Sequence, residues 1–202
     1  MSKFIEKVEH LSINFFDDLV NKLEIQPKNN QLLTTYGPML EFAKRNKTKF
    51  DKTTLIGLAH MAYGWMPTMI QSITIEQDFI EWIKQIDIGC IDKSFLTKIG
   101  KLTNDSIVGA SKLLHFLNPE MYPIYDSRVY KTISEKEKHN LSKDYDNYIH
   151  YTNKLRNLIN NSSNLSKIFK IEEELINKYF IPAGCSKIRI LEICLYASAN
   201  NV

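Results

Sequence analysis

The sequence is poor in the residues that interrupt helices: 202 residues contain only seven glycines and six prolines. Strict apolar–polar alternation, the signature of half-buried strands, is equally scarce. Cysteine is sparse. Cys90, Cys185 and Cys194 form an odd, widely spaced set without a CxxC pair, which points to a reduced, cytoplasmic protein rather than a disulfide framework or a structural zinc site. No HExxH or other close-spaced ligand set occurs, so no metal is expected, and no cofactor either. The lack of a Gly-rich phosphate loop disfavours a nucleotidyl or phosphoryl transferase. No window approaches the roughly 18 uncharged apolar residues of a membrane span. The opening MSKFIEKVEH carries charges where a signal peptide needs an apolar core. No Gly/Ser-rich linker divides the chain and no repeat of roughly 30 to 50 residues appears, which predicts one domain over 1–202 and argues against a solenoid.

What is present is apolar and helical. The hydrophobic fraction is 44%, with ten tyrosines, ten phenylalanines and two tryptophans, enough for a folded core. The net charge of +3 permits nucleic-acid binding without requiring it, because a basic footprint matters where it clusters. Val8, Leu11, Phe15, Leu19 and Leu23 share one stripe over residues 8–23. A second helix is predicted over about 30–45, with Leu33, Tyr36, Leu40 and Ala43 and a bend at Gly37-Pro38, and a third over about 52–62. Shorter pieces follow at 76–86 and 92–99, then 104–117, 126–133, 145–160, 165–179 and 185–199. The charged stretch SEKEKHNLSKDYD, residues 134–146, reads as a solvated loop. The expectation is an all-α, compact multi-helix globule, with room for two lobes around a cleft.

One loop is more heavily furnished than a surface connection needs. After the apolar run SIVGASKLLHFL comes NPEMYPIYDSRV, residues 118–129. Asn118-Pro119 ends a helix, Met121, Tyr122 and Ile124 pin the loop to the core, Pro123 restricts it, and Asp126 opens the next helix. Asp126 followed by Ser-Arg-Val makes a good helix cap, worth about 1 kcal/mol by itself. The alternative is that the loop aims a carboxylate at a substrate.

Residues 92–133, about a fifth of the chain, resemble the helix-hairpin-helix DNA glycosylase superfamily. Members of that family read Leu-Pro-Gly-x-Gly-x-x-x-Ala across a hairpin, then an apolar helix, a proline-bearing loop and an Asp at the start of the next helix. Leu102 takes the leucine position, Ala110 the alanine position, and Asp126 the aspartate position, with Pro123 before it and Val129 after it. The resemblance implies that Asp126 stabilises positive charge on a sugar ring while an N-glycosidic bond breaks, and directs the attacking water. Thr103, Asn104 and Ser106 replace the hairpin proline and both glycines, so the phosphate grip must differ or be absent. Val108 stands where bifunctional members carry a Schiff-base lysine, which implies base removal without strand cleavage. Lys112 is the nearest alternative amine.

Other candidates follow from this frame. LAHMAYGWMPTMI, residues 58–70, gathers Met61, Tyr63, Trp65, Met66 and Met69 around Gly64 and Pro67, at a predicted helix end. Such a cluster is ordinarily core, but Tyr63 and Trp65 are the best candidates to wall a pocket for an extruded base. His60 and His115, set in apolar helices, are expected to be core or pocket-wall histidines rather than metal ligands. Lys98, Lys101, Lys112, Arg128 and Lys131 are expected to form a basic rim around Asp126, with Asn104 and Ser106 at the hairpin, for phosphate contacts. KRNKTK, residues 44–49, is a second basic patch. His150 lies near Tyr145, Tyr148 and Tyr151 on a helix able to line a cleft. Arg189 and Glu192 are spaced for an i,i+3 pair in a closing core helix, without chemistry attached.

The leading expectation is therefore a monofunctional DNA glycosylase acting on double-stranded DNA with the target base flipped out. Its task would be repair, or defence against phage carrying modified bases. The alternatives are a non-catalytic helical DNA- or partner-binding protein that retains the scaffold, and a helical interaction module whose Asp126 is only a cap.

Overall fold

A computed structural model describes residues 2–24, 34–48, 51–65, 69–75, 79–138, 140–179 and 181–199. Among these there are eleven α-helices and no strand. They are α1 (Lys3–Glu9), α2 (Ile13–Asn21), α3 (Tyr36–Lys47), α4 (Lys52–Gly64), α5 (Phe79–Asp87), α6 (Lys93–Gly100) and α7 (Ile107–Leu117), then α8 (Ser127–Ser134), α9 (Tyr145–Asn160), α10 (Leu165–Tyr179) and α11 (Lys187–Ser198). A short 3₁₀ turn, Ser162–Asn164, leads into α10. Among the described residues no helix is long and apolar enough to cross a membrane.

Side-chain caps start most of these helices. Ser2, Ser12, Asp51, Asp92, Asp126 and Ser186 each accept the backbone N–H three residues on, which satisfies a donor the helix itself leaves orphaned. Ser12 also explains a departure from the expected stripe over 8–23. It starts a new helix after α1 has ended, so the helical phase is reset, and Ile13, Phe16 and Val20 are buried in place of Phe15 and Leu19. Gly37 and Pro38 lie in the first turn of α3, where a missing N–H costs nothing, so no bend is needed. The predicted start of that helix at 30–33, including Leu33, lies outside the described residues, as do 76–78, Met66, Pro67, Lys49 and His139.

Two helices form the interior. In α7, Ile107 and every residue from Gly109 to Leu117 are buried; in α11 burial is nearly as complete. A helix apolar on most of its faces must be surrounded. Around α7 pack α3, α4 and α6; around α11 pack α2, α8, α9 and α10, while α9 also touches α6. All share one continuous apolar core. The hairpin between α6 and α7 is sealed by Tyr63 of α4, whose hydroxyl donates to the Thr103 carbonyl at 2.7 Å. Gly109 permits this contact, since a Cβ there would stand 2.6 Å from the Tyr63 ring.

Candidate functional site

The loop after α7 is buried from Tyr122 to Tyr125. A buried loop has no ladder to satisfy its carbonyls, so side chains must do it. Ser186 donates to the Pro119 carbonyl at 2.8 Å, and Arg156 donates to that of Met121 at 2.9 and 2.7 Å through Nε and Nη2. His115 Nδ1 donates to the Tyr122 carbonyl at 2.6 Å, and the Tyr148 hydroxyl to that of Pro123 at 3.2 Å. The Tyr125 N–H is taken by Ser111 Oγ at 3.1 Å.

This scaffold delivers Asp126, half-buried, to the N-terminus of α8. One oxygen, Oδ1, accepts the N–H groups of both Arg128 and Val129 at 3.0 Å. The cap is real, and it uses only one of the two carboxylate oxygens. Inward of Asp126 lies a group of polar side chains embedded in core. Lys112 is only 8% exposed, Arg189 4%, and Glu192 not at all. Arg189 Nη1 bonds Glu192 Oε2, and its guanidinium lies 4.6 Å from the centre of the Tyr36 ring and 5.6 Å from that of Trp65. Asp126 contributes charge at Lys112, Glu192, Tyr151 and Tyr196, which ties it to the same cluster.

Burial dominates the electrostatics here, because a low-dielectric surrounding disfavours whichever form is charged. It pushes Glu192 up to about 7, with Arg189 pulling the other way. It lowers Lys112, opposed by the charges of Asp126 and Glu192. His115 is driven down to about 3 by burial, with Arg189 adding to the effect. Its Nδ1 must carry the proton, since its partner there is a carbonyl; Nε2 then accepts from the Tyr36 hydroxyl at 2.8 Å.

The cluster is also incompletely satisfied. Trp65 Nε1, Arg189 Nε, Glu192 Oε1 and the Tyr151 hydroxyl are buried without a hydrogen-bond partner among the described residues. Native interiors rarely leave such groups unpaired, because each unmet group forfeits its solvation. These four lie around the Arg189 guanidinium; Trp82 Nε1, the Tyr145 hydroxyl and Thr152 Oγ1 are also buried without a partner among the described residues. Among the described residues no three His, Cys, Asp or Glu side chains come together as a metal site would require.

The expected residues separate into three sets. Asp126, Trp65 and His115 belong to or border the buried cluster around Arg189 and Glu192. Lys112 does too, and this corrects its place in a basic rim: it is only 8% exposed, on a helix buried on nearly every side, and is not presented to a phosphate. Tyr63 is a weld between α4 and the hairpin. His60 is exposed and held to the Ile56 carbonyl at 2.9 Å, the reverse of a core or pocket-wall position. The buried stripe of α4 runs through Leu55, Leu58, Ala59 and Ala62, and residue 60 projects from the other side. His150 is likewise exposed, with Glu9 at 3.7 Å, while Tyr145, Tyr148 and Tyr151 turn inward.

Among the basic residues, Arg128 is exposed and stacks over Tyr196 at 4.6 Å. Lys131 is 3.8 Å from Glu137, and Lys98 and Lys101 are half-buried on and after α6. In the second basic patch, Lys47 is drawn to Asp87 and donates to the Leu117 carbonyl at 3.0 Å.

The hairpin is closed by the chain itself. Asn104 and Asp105 take φ of 55° and 54°, the left-handed conformation that glycine would otherwise supply and that Asn and Asp tolerate best. Neither caps α7; the cap position is Ser106, whose side chain makes no capping bond. Asn104 Oδ1 accepts from the N–H groups of Gln71 and Ser72 at 2.7 and 3.2 Å, and Nδ2 donates to the Met69 carbonyl at 3.0 Å. Asp105 pairs with Lys143, and the Ile107 N–H donates to the Ser142 carbonyl at 2.9 Å.

Arg189, Glu192, Tyr36 and Tyr151 were not among the predicted site residues. The one signal available was the charged pair inside the otherwise apolar SKIRILEICLY. Comparison of the chain with protein-family models, with curated proteins and with solved structures finds no match. Fold and site therefore define a class only: an all-helical protein with a half-buried, helix-capping carboxylate beside a buried polar cluster.

Proposed function

We propose that this chain is a monofunctional DNA glycosylase, with Asp126 as the catalytic carboxylate. The observation that carries the reading is the division of labour on Asp126. Backbone donors fix Oδ1, and Oδ2 is left for chemistry beside the buried polar cluster. As the C1′–N bond breaks, its electrons leave with the base, and positive charge grows on the sugar beside Oδ2. Asp126 orients a water, accepts its proton as the oxygen bonds to C1′, and returns that proton to solvent. The ammonium of Lys112 gives a proton to the departing base nitrogen and is reprotonated afterwards. Arg128, two residues on and exposed, is the nearest candidate for a phosphate contact. Val108 at the Schiff-base position leaves the reaction at an abasic site, without strand cleavage.

The test is base release from a panel of damaged, mismatched and phage-modified duplexes, with abasic sites revealed by alkali. Asp126→Asn is expected to abolish release, at least ~100-fold, while shifting stability little, since Asn caps helices about as well as Asp. An Asn variant as active as the parent overturns the assignment. One observation favours a second reading, a non-catalytic binder that keeps the scaffold: the hairpin's polar groups are taken by residues 69–72 and 142–143 rather than offered to DNA. That reading predicts tight duplex or partner binding with no abasic sites on any substrate.

A further inference from the structure

Lys112 is the only lysine or arginine in α7, and the helix buries it almost wholly. An ammonium in such a place is costly unless carboxylates face it. Contacts made by its neighbours bring two of them. Ser111, next to Lys112, takes the N–H of Tyr125, next to Asp126, at 3.1 Å. From Asp126 onward, α8 lies along α11: Thr132 donates to the Leu195 carbonyl at 2.7 Å, and Arg128 stacks over Tyr196 at 4.6 Å. Glu192 stands one turn before Tyr196 on α11. A second path leads to the same place. His115, one turn after Lys112 on the same face of α7, accepts from the Tyr36 hydroxyl at 2.8 Å. The Tyr36 ring carries the Arg189 guanidinium at 4.6 Å, and that guanidinium bonds Glu192. Lys112 is thus bracketed by Asp126 and Glu192.

No other group around the pair can supply negative charge. Burial raises the phenols of Tyr36, Tyr151 and Tyr196 and the thiols of Cys185 and Cys194, so they stay neutral. His115 is neutral as well, and Arg189 works against the lysine's charge. We infer that Glu192 is a positioning residue for Lys112: from α11 it supplies, together with Asp126, the counter-charge that keeps the Lys112 ammonium protonated inside the core. This deepens the glycosylase reading and rests on it in one respect, that the proton so held is the one given to the departing base. Arg189 then has a task beyond pairing. By bonding one oxygen of Glu192 it fixes where that carboxylate points.

The experiment follows Lys112 by NMR in the full chain, carrying 13C at lysine ε-carbons and glutamate carboxyls, with its signal identified by its loss in Lys112→Met. In Glu192→Gln the Lys112 midpoint is expected to fall by about one pH unit or more, the effect of losing one nearby opposite charge. A merely structural Glu192 would leave that midpoint where it is. Equal midpoints in parent and variant overturn the inference. So does a parent midpoint below about 7, where Glu192 is itself losing its charge. If Glu192→Gln does not fold, the parent decides: the Glu192 carboxyl signal must step at the Lys112 midpoint, and a signal indifferent to that step is the contrary result. Base release separates this inference from the reading beneath it. In Glu192→Gln the alkaline limb of kcat should move down with the Lys112 midpoint, about tenfold in rate for each unit, with KM unchanged. Release by the parent with equal Lys112 midpoints sinks the inference and spares the glycosylase reading. A shifted midpoint without release from any duplex does the opposite.

Discussion

Two irregular connections flank α7, and they treat their polar groups in opposite ways. The hairpin before it, residues 101–106, spends its side chains on the protein: Asn104 clamps residues 69–72 and Asp105 pairs with Lys143. The loop after it, residues 118–125, is tied down just as firmly, but what it delivers is left unfinished. Asp126 keeps one oxygen out of its cap, and the buried cluster beside it holds four atoms without hydrogen-bond partners among the described residues. Groups left unmet inside a packed interior forfeit their solvation, so the two connections differ in what their neighbourhoods cost.

The comparison breaks most readily at Arg189. Arg189→Ala leaves Glu192 a buried carboxyl without its partner, and stability is expected to fall by about 3–5 kcal/mol, read as a lower urea midpoint. The double change Arg189→Met with Glu192→Leu should recover most of that loss, since a well-packed apolar pair can replace a buried ion pair. A single variant as stable as the parent would mean that Arg189 is not holding the pair. Asn104→Gly tests the other side. It keeps the left-handed backbone and deletes three hydrogen bonds, so it should cost about 1–3 kcal/mol while the base release proposed above stays unchanged. A loss of release out of proportion to stability would make the hairpin part of the site.

The smallest effect is a slope. Glu192 is raised to about 7 in the folded state from an ordinary value of 4.5. Its contribution is therefore fully present below about pH 4.5 and lost as pH rises through about 7. His115 is lowered from 6.5 to about 3, so its contribution is present above pH 6.5 and lost as pH falls toward 3. Between pH 4.5 and 6.5 the two oppose each other. Glu192→Gln removes one of them, so the variant's stability should climb more steeply with pH over that window than the parent's. Parallel urea midpoints across pH 4.5–7 would show that Glu192 does not titrate as its burial implies.

The helices could be read in the sequence wherever apolar spacing ran uninterrupted: 52–62, 145–160 and 165–179 fall within a few residues of α4, α9 and α10. The reading failed at Ser12, because a cap that restarts a helix leaves the apolar residues at nearly helical spacing. The order helix, turn, helix, loop, aspartate was legible over 92–133, and Asp126 heads α8 as expected. The buried polar cluster was not legible. An Arg and a Glu three apart look the same on an exposed face as on a buried one, and a lysine such as Lys112 is ordinarily solvated. Burial comes from which helices surround α7 and α11, and that is a long-range property no local spacing encodes. His60 failed for the converse reason: an apolar neighbourhood in sequence includes the outer face of the same helix.

The loop carrying Asp126 borrows its hydrogen bonds from His115 in α7, from Tyr148 and Arg156 in α9, and from Ser186 at the start of α11. None of these partners is local in the chain except His115. The loop can therefore take its shape only after the helices have assembled around it, which makes it a late arrival in folding. Its amides should exchange with solvent at the rate of whole-molecule opening rather than by local fraying. The part of the chain with the least regular structure is thus coupled to all the rest, and a substitution remote from Asp126 that loosens α9 or α11 would blunt the carboxylate before it unfolded the protein.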